Sequence, residues 1–136
     1  FYQLPAVCVL PPRHRLSRRS HVGPADLDGE PLIALATTDR ARLAMEKAFA
    51  DAGVTWNPAI TTPYSQTQCE LVLAGAGIAI SNPVVARRFE ALGLSCVAFK
   101  PEVLFRTSLA FGSAYQPNLA AQELIGLLRQ ALVQAG

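Results

Sequence analysis

The stretch that most constrains the fold is Tyr64–Pro83, YSQTQCELVLAGAGIAISNP. A polar start leads into an apolar stretch, then Gly75-Ala76-Gly77, a β-rich run and Asn82-Pro83. That order reads as helix, tight turn, strand and stop. Cys69, Val72 and Leu73 form the apolar stripe of the helix. Ser65 with Gln68 fits a capping box, and Thr67 with Glu70 fits the same pattern, so the first turn is open by about two residues. Gly75 ends the helix, Ile78–Ile80 is a short buried strand, and Asn82-Pro83 breaks it.

The polarity of this unit excludes one class of function. A dinucleotide loop places its glycines after a strand and before a helix, so that helix amides and the positive end of the dipole face the phosphate. Here the helix comes first. The free groups at Gly75-Ala76-Gly77 are carbonyls, and the dipole end is negative. No Walker-type Gly-Lys-Ser/Thr occurs in the chain.

The rest of the sequence repeats the alternation. Ala6–Leu10 and Pro31–Ala36 read as buried strands. Between them lies a polar, basic, turn-rich loop with a helical turn near Pro24–Leu27. Arg40–Ala52 has helical periodicity, with Leu43, Ala44, Ala48 and Ala52 as its stripe and Met45 and Phe49 flanking. Thr38 or Asp39 is its N-cap, and Gly53 its left-handed stop. Ala59–Thr62 is a further strand. A short helix is expected over Val84–Leu92, closed by Gly93, followed by strands at Ser95–Phe99 and Ser108–Phe111. A final helix runs Leu119–Gln134, started by Asn118, with Leu124, Leu127, Leu128, Ala131 and Leu132 as its buried face. Strands alternating with helices imply α/β layers with a mainly parallel sheet.

Composition narrows the function further. Half of the 136 residues are apolar and 16% are charged, which excludes disorder. A net charge of +2 is too small to imply nucleic-acid binding. Cys8, Cys69 and Cys96 are widely spaced, have no metal-ligand spacing, and read as buried hydrophobes in a reduced cytoplasm. No metal or other cofactor is expected. No apolar run is long enough for a membrane span, and no signal peptide is visible. No nucleophile elbow or zinc-protease motif occurs, and His14 and His21 sit in the basic loop as solvated or structural residues. The lone Trp56 belongs to packing or to a rim.

Two helix starts remain as anion-friendly points, one behind Thr37-Thr38 and one behind Tyr64-Ser65-Gln66. Both follow the C-terminal end of a strand, where open α/β sheets hold ligands. Either hydroxyl group also serves as a plain helix cap, and both readings stay open. The two starts together favour a small polar or carboxylate-bearing ligand.

The runs VCVLPPRHRL, DLDGEPLIAL, AFADAGV and CELVLAGAGIAISNP, in this order, resemble the effector-binding domain of LysR-type transcriptional regulators of bacteria. His14-Arg15-Leu16 stands where the family usually has His-Pro-Leu, a departure confined to a loop. The Tyr64–Pro83 block looks most like regulators of amino-acid or opine metabolism. The resemblance implies an α/β, bilobal, periplasmic-binding-protein-like (type 2) fold, one lobe complete and the other partial. Residues 1–12 would lead out of lobe one, 13–82 form lobe two, and 83–136 return to lobe one. It implies effector contacts at Thr37, Thr38 and Asp39 and at Tyr64, Ser65 and Gln66, with Asn82 and Pro83 bordering the cleft.

It further implies a small-molecule effector, a homo-dimer or homo-tetramer, and DNA contact only through an N-terminal winged helix-turn-helix outside this chain. No membrane association and no catalysis are implied. The chain is expected to be a fragment, whose partial lobe exposes apolar faces that favour dimerisation, swapping or aggregation. A type 2 periplasmic solute-binding protein would share nearly the same fold. So would a small bilobal α/β enzyme, for which no cleft base or nucleophile is found.

Overall fold

A computed structural model describes residues 2–116 and 118–135, with side chains described to Ala131. The chain divides into two compact units, one spanning Gln3–Phe105 and one holding Tyr2 with the residues from Arg106 onwards.

The larger unit is a mixed six-stranded sheet with helices on both faces. Its strands are β2 (Val7–Leu10), β3 (His21–Val22), β4 (Leu32–Leu35), β5 (Pro58–Thr62), β6 (Ile78–Ser81) and β7 (Ser95–Phe99). The spatial order is β3-β7-β2-β6-β4-β5. β6, β4 and β5 run parallel to one another, as do β3 and β7, and β2 runs antiparallel to both its neighbours. β1 (Tyr2–Pro5) and β8 (Leu104–Thr107) pair as a separate two-stranded ribbon. The mainly parallel sheet expected from the sequence is present, with β2 as its one reversed strand. All four residues of β2, β4 and β6 are buried, as befits strands covered on both faces.

α1 (Arg40–Asp51) covers one face, where Met45, Ala48 and Phe49 join Cys8, Leu10, Ile78, Ile80 and Phe99 in one core. α2 (Ser65–Leu73) and α3 (Pro83–Ala86) cover the other, where Cys69, Val72 and Ala86 meet Val7, Val9, Ile33 and Ala79. Two glycines close these units. Gly53 adopts φ 68° after α1, and the Val54 amide reaches back to the Phe49 carbonyl at 3.0 Å, as a left-handed stop requires. At Gly77 a Cβ would stand 2.2 Å from the Pro31 carbonyl oxygen, so only glycine lets β6 start so close to the entry of β4.

Several expectations are corrected. The face of α1 is rotated: Ala41, Arg42, Met45, Ala48 and Phe49 are buried, whereas Leu43 is 57% exposed. Aromatic packing decides the phase, because Phe49 meets Trp56 edge-on at 4.9 Å and stacks on Phe99 at 6.5 Å. On α2, Leu73 is exposed and Gln68 is buried in its place. The Val84–Leu92 helix is α3 followed by a 3-10 stretch, Arg87–Leu92, closed by Gly93 at φ 103°.

The last strand is Leu104–Thr107, paired with β1, not Ser108–Phe111. His21–Val22, read as loop, adds a short parallel strand beside β7. In the smaller unit α4 (Leu119–Ala135) starts at Asn118, whose Oδ1 accepts from the Ala121 amide at 2.8 Å. Leu124, Leu127, Leu128 and Ala131 are exposed on it rather than buried. Among the described residues, this unit supplies no second layer to cover them. Leu132 and Gly136 lie outside the described side chains. Val85, Phe89 and Cys96, in the segment that follows Pro83, pack against the second core of the larger unit.

Candidate functional site

The site is built by the topology of three adjacent parallel strands. In the order β6-β4-β5, all three C-terminal ends emerge at one edge of the sheet. Thr37–Asp39 follow β4, Tyr64–Gln66 follow β5, and Asn82-Pro83 follow β6. The structure therefore brings all eight expected positions to a single edge of the larger unit. α1 leaves β4 towards one face, and α2 and α3 leave β5 and β6 towards the other. Adjacent strands whose connections depart on opposite faces leave a crevice beyond their carboxyl ends.

The ladder parts the strands at this same edge. β4 and β6 pair at Leu32↔Ile78 and Ile33↔Ala79. Beyond that point β4 stays paired with β5 at Ala34↔Thr61 and Leu35↔Thr62, and β6 stays paired with β2 at Cys8↔Ile80 and Val7↔Ser81. The two strands thus fork apart at their C-terminal ends, directly below the candidate residues.

The two long helix starts at this edge differ in charge state. Asp39 caps α1, its Oδ1 accepting from the Ala41 amide at 2.8 Å. Of the two residues offered by the sequence, Asp39 is the cap, and it already sets a carboxylate against the helix dipole. Thr37 and Thr38 are exposed beside it. At α2 the N-cap is Tyr64, and no side chain caps the helix. The capping boxes expected at Ser65/Gln68 and Thr67/Glu70 are absent: Gln68 turns inward, and Glu70 accepts from Gln66 at 3.0 Å. The Tyr64 amide donates to the buried Thr62 hydroxyl at 3.4 Å, while the Tyr64 ring is exposed. The first turn of α2 carries no acidic residue, so its amides and dipole are open to an anion. Asn82 caps α3, its Oδ1 accepting from Val84 at 2.9 Å, and Pro83 is buried.

The sequence pattern does not show that three polar residues near the edge are buried. Gln68 is buried and donates to the Ile33 and Ile80 carbonyls at 2.8 and 3.4 Å. Ser81 is fully buried. Arg42 is buried, donating to the Leu35 carbonyl at 2.7 Å and to Glu46 at 2.7 Å, with its guanidinium 5.9 Å above the Trp56 ring. The available signal was a polar residue on a buried helical stripe: Gln68 shares its face with Val72, and Arg42 with Met45 and Phe49.

Other features of the molecule serve structure. The His14 Nδ1 accepts from the Leu16 amide at 3.2 Å, and its Nε2 faces Glu30 at 3.4 Å, so this histidine pins the basic loop. Arg15 pairs with Glu30 and Arg19 with Asp26. Burial pushes the Cys8 thiol far above its ordinary range. It also raises Cys69 to about 11, against a lowering by Ser81, and Cys96 to about 12, aided by Glu90. Protonated thiols of this kind are poor nucleophiles at neutral pH. A depression of about 340 Å³ lies at the opposite edge, by Pro31 and Asn57 at the entries of β4 and β5. It is flanked by Asp28 and Glu30 and does not suit an anion. Among the described residues no cluster of three or more metal-ligating side chains occurs, and no helix is long and apolar enough to cross a membrane.

Comparison with known proteins gives these features a family. The model of the LysR substrate binding domain matches residues 1–133. The chain is 36% identical over 106 residues to the transcriptional activator protein LysR of Escherichia coli K12, covering 78% of this chain and 34% of that protein. It is 32% identical over 127 residues to the regulatory protein NocR of Agrobacterium tumefaciens T37, covering 93% of this chain and 42% of the relative. The chain thus spans less than half the length of these curated relatives. In fold it is similar to the regulatory domain of CcmR from Synechocystis PCC6803, solved in complex with 2-PG. That match has a TM-score of 0.69 at 16% identity, over 96% of this chain and 64% of the other. A mixed sheet forked at the carboxyl ends of its parallel strands and a family match over nearly the whole length agree: the chain belongs to the LysR substrate-binding domain family.

Proposed function

We propose that this chain is the ligand-sensing part of a bacterial LysR-type transcriptional regulator, and that it takes a small carboxylate-bearing effector at the forked edge of β6, β4 and β5. The observation that carries this reading is the uncapped start of α2. Tyr64, Ser65 and Gln66 offer amides, a hydroxyl and a carboxamide at the dipole's positive end, with no acidic residue in the first turn. Thr37 and Thr38 add hydroxyl donors from the neighbouring strand end, Asp39 offers an acceptor for an ammonium or hydroxyl group, and Asn82-Pro83 form the border. This combination suits an amino acid or an opine, which carry both carboxylate and ammonium groups. The 2-PG complex of the CcmR domain supports a small-molecule ligand on this fold.

On this reading Gln3–Phe105 holds lobe two together with the crossing segments, and the residues from Arg106 belong to lobe one. The opposite wall of the cleft comes from the part of the relatives that this chain does not span. The effector acts by population shift: it favours one lobe geometry by its differential affinity for the two states. That bias passes to a homo-dimer or homo-tetramer bound to DNA through a winged helix-turn-helix outside these residues, in the cytoplasm. No catalytic step is involved. A solute-binding role is the weaker reading, because the named relatives LysR and NocR are regulators.

A calorimetric screen of amino acids, opines and simple carboxylates against the intact regulator tests the proposal. Saturable binding that Ser65→Ala and Thr38→Ala each weaken is the expected result. Binding left unchanged by both variants removes the site assignment.

A further inference from the structure

The fork between β4 and β6 is not empty. Gln68, in the first turn of α2 and only 1% exposed, inserts its carboxamide where the ladder ends. Its Nε2 donates to the carbonyl of Ile33, the last residue of β4 paired with β6, and to the carbonyl of Ile80, one residue beyond the last residue of β6 paired with β4. One side chain thus ties the start of α2 to both diverging strands where their shared ladder ends. These two acceptors fix the orientation of the amide, since only the NH2 end can donate to two carbonyls. The Gln68 Oε1 is buried without a hydrogen-bond partner.

Leaving that oxygen buried is unfavourable, and an apolar residue would fill the same space without it. The Ile80 carbonyl accounts for a glutamine here, because it lies past the end of the β4–β6 ladder and takes its donor from Gln68.

We infer that Gln68 is a positioning residue for the candidate site: it holds the fork at a set width and locks the amides of Ser65–Thr67 over it, without itself touching ligand. The functional meaning of this wedge rests on the effector-site reading, but the wedge can be tested without any ligand. Gln68→Met keeps the length and removes the donor. With the donor lost, the Ile80 carbonyl loses its partner at the fork and the tie to Ile33 is broken, and the fork opens locally.

The test is amide hydrogen exchange resolved by segment, comparing the protein, Gln68→Met and Val97→Ala. Val97 is buried in the core on the α1 face, so its truncation destabilises the protein without touching the fork. Gln68→Met is expected to speed exchange about tenfold in the first turn of α2 and at Ala34–Leu35 beyond the change that Val97→Ala causes there. Uniform acceleration matching the control, or no change at the fork, overturns the inference.

If Gln68→Met fails to fold, Gln68→Glu decides. Its protonated carboxyl regains one donor and its carboxylate has none, so protection at the fork should return as pH falls through that group's titration. Protection independent of pH overturns the inference. A fork that loosens as expected in a protein that binds no carboxylate leaves the wedge standing and removes only the functional reading.

Discussion

The starts of α1 and α2 sit side by side at one sheet edge and are built in opposite ways. α1 begins on Asp39, whose carboxylate takes the Ala41 amide, and is anchored by Phe49 packed between Trp56 and Phe99. α2 begins on Tyr64 with no side-chain cap, and its first turn is tied down from below by Gln68. One start is satisfied by its own side chain. The other is held in place while its amides stay open. A helix start left open at the fork of a sheet contributes less to stability than a capped one, and that difference separates a structural element from a candidate recognition element.

The comparison can be broken most forcefully at the anchor of α1. Phe49→Ala should destabilise the protein by about 3–5 kcal/mol, read by urea or thermal unfolding, because a fully buried ring leaves a cavity between two aromatic partners. A loss below ~1 kcal/mol would show that α1 is not anchored there. Next in size is the cap itself. Asp39→Ala should cost about 1 kcal/mol through the lost Ala41 bond. Ser65→Ala at the uncapped start should stay within about 0.5 kcal/mol of the parent in stability. Equal losses at the two positions would erase the contrast.

A pH-dependent effect acts on the α2 side. The Cys69 thiol, beside α2's core face, is raised to about 11 from an ordinary value of 9.0. A thiol raised by burial favours the folded state fully below pH 9.0. That contribution is lost as pH rises through about 11. Stability should therefore be flat for this group to about pH 9 and fall above it, and Cys69→Ala should flatten the fall. The smallest effect is at Leu43, whose exposure predicts that Leu43→Ser changes stability by less than about 0.5 kcal/mol.

The sequence made some of this legible and hid the rest for identifiable reasons. Continuous apolar runs marked β2, β4 and β6, because strands covered on both faces leave no room for polar alternation. Glycines at 53, 75 and 93 marked the helix ends, where positive φ is needed. The helix-to-strand polarity at Gly75–Gly77 argues against a phosphate loop from the sequence alone. Periodicity did not fix the buried face of α1, since Leu43 and Met45 are both apolar and the choice falls to Phe49 meeting Phe99, far along the chain. The leucines of α4 show the same limit in the other direction: an apolar stripe records what a helix can bury, not what is there to bury it.

Gln68 was read as a cap because the local pattern fits one. Its actual partners lie 35 and 12 residues away, and a local motif carries no record of contacts at that range. That the two helix starts follow the C-terminal ends of strands was legible, because it depends only on strand order and direction; Asn82 and Pro83 came from the family resemblance. The fork beneath them was not legible, because it depends on where one ladder stops.

The most direct measurement is an amide chemical-shift titration of the intact regulator with the ligand found by the calorimetric screen. The account predicts saturable shifts at Ser65, Gln66 and Thr67, with smaller ones at Thr37 and Thr38, and a quiet Ala41 amide that remains bonded to Asp39. Saturable shifts centred on the Asp28–Pro31 depression, or none in the first turn of α2, would contradict it.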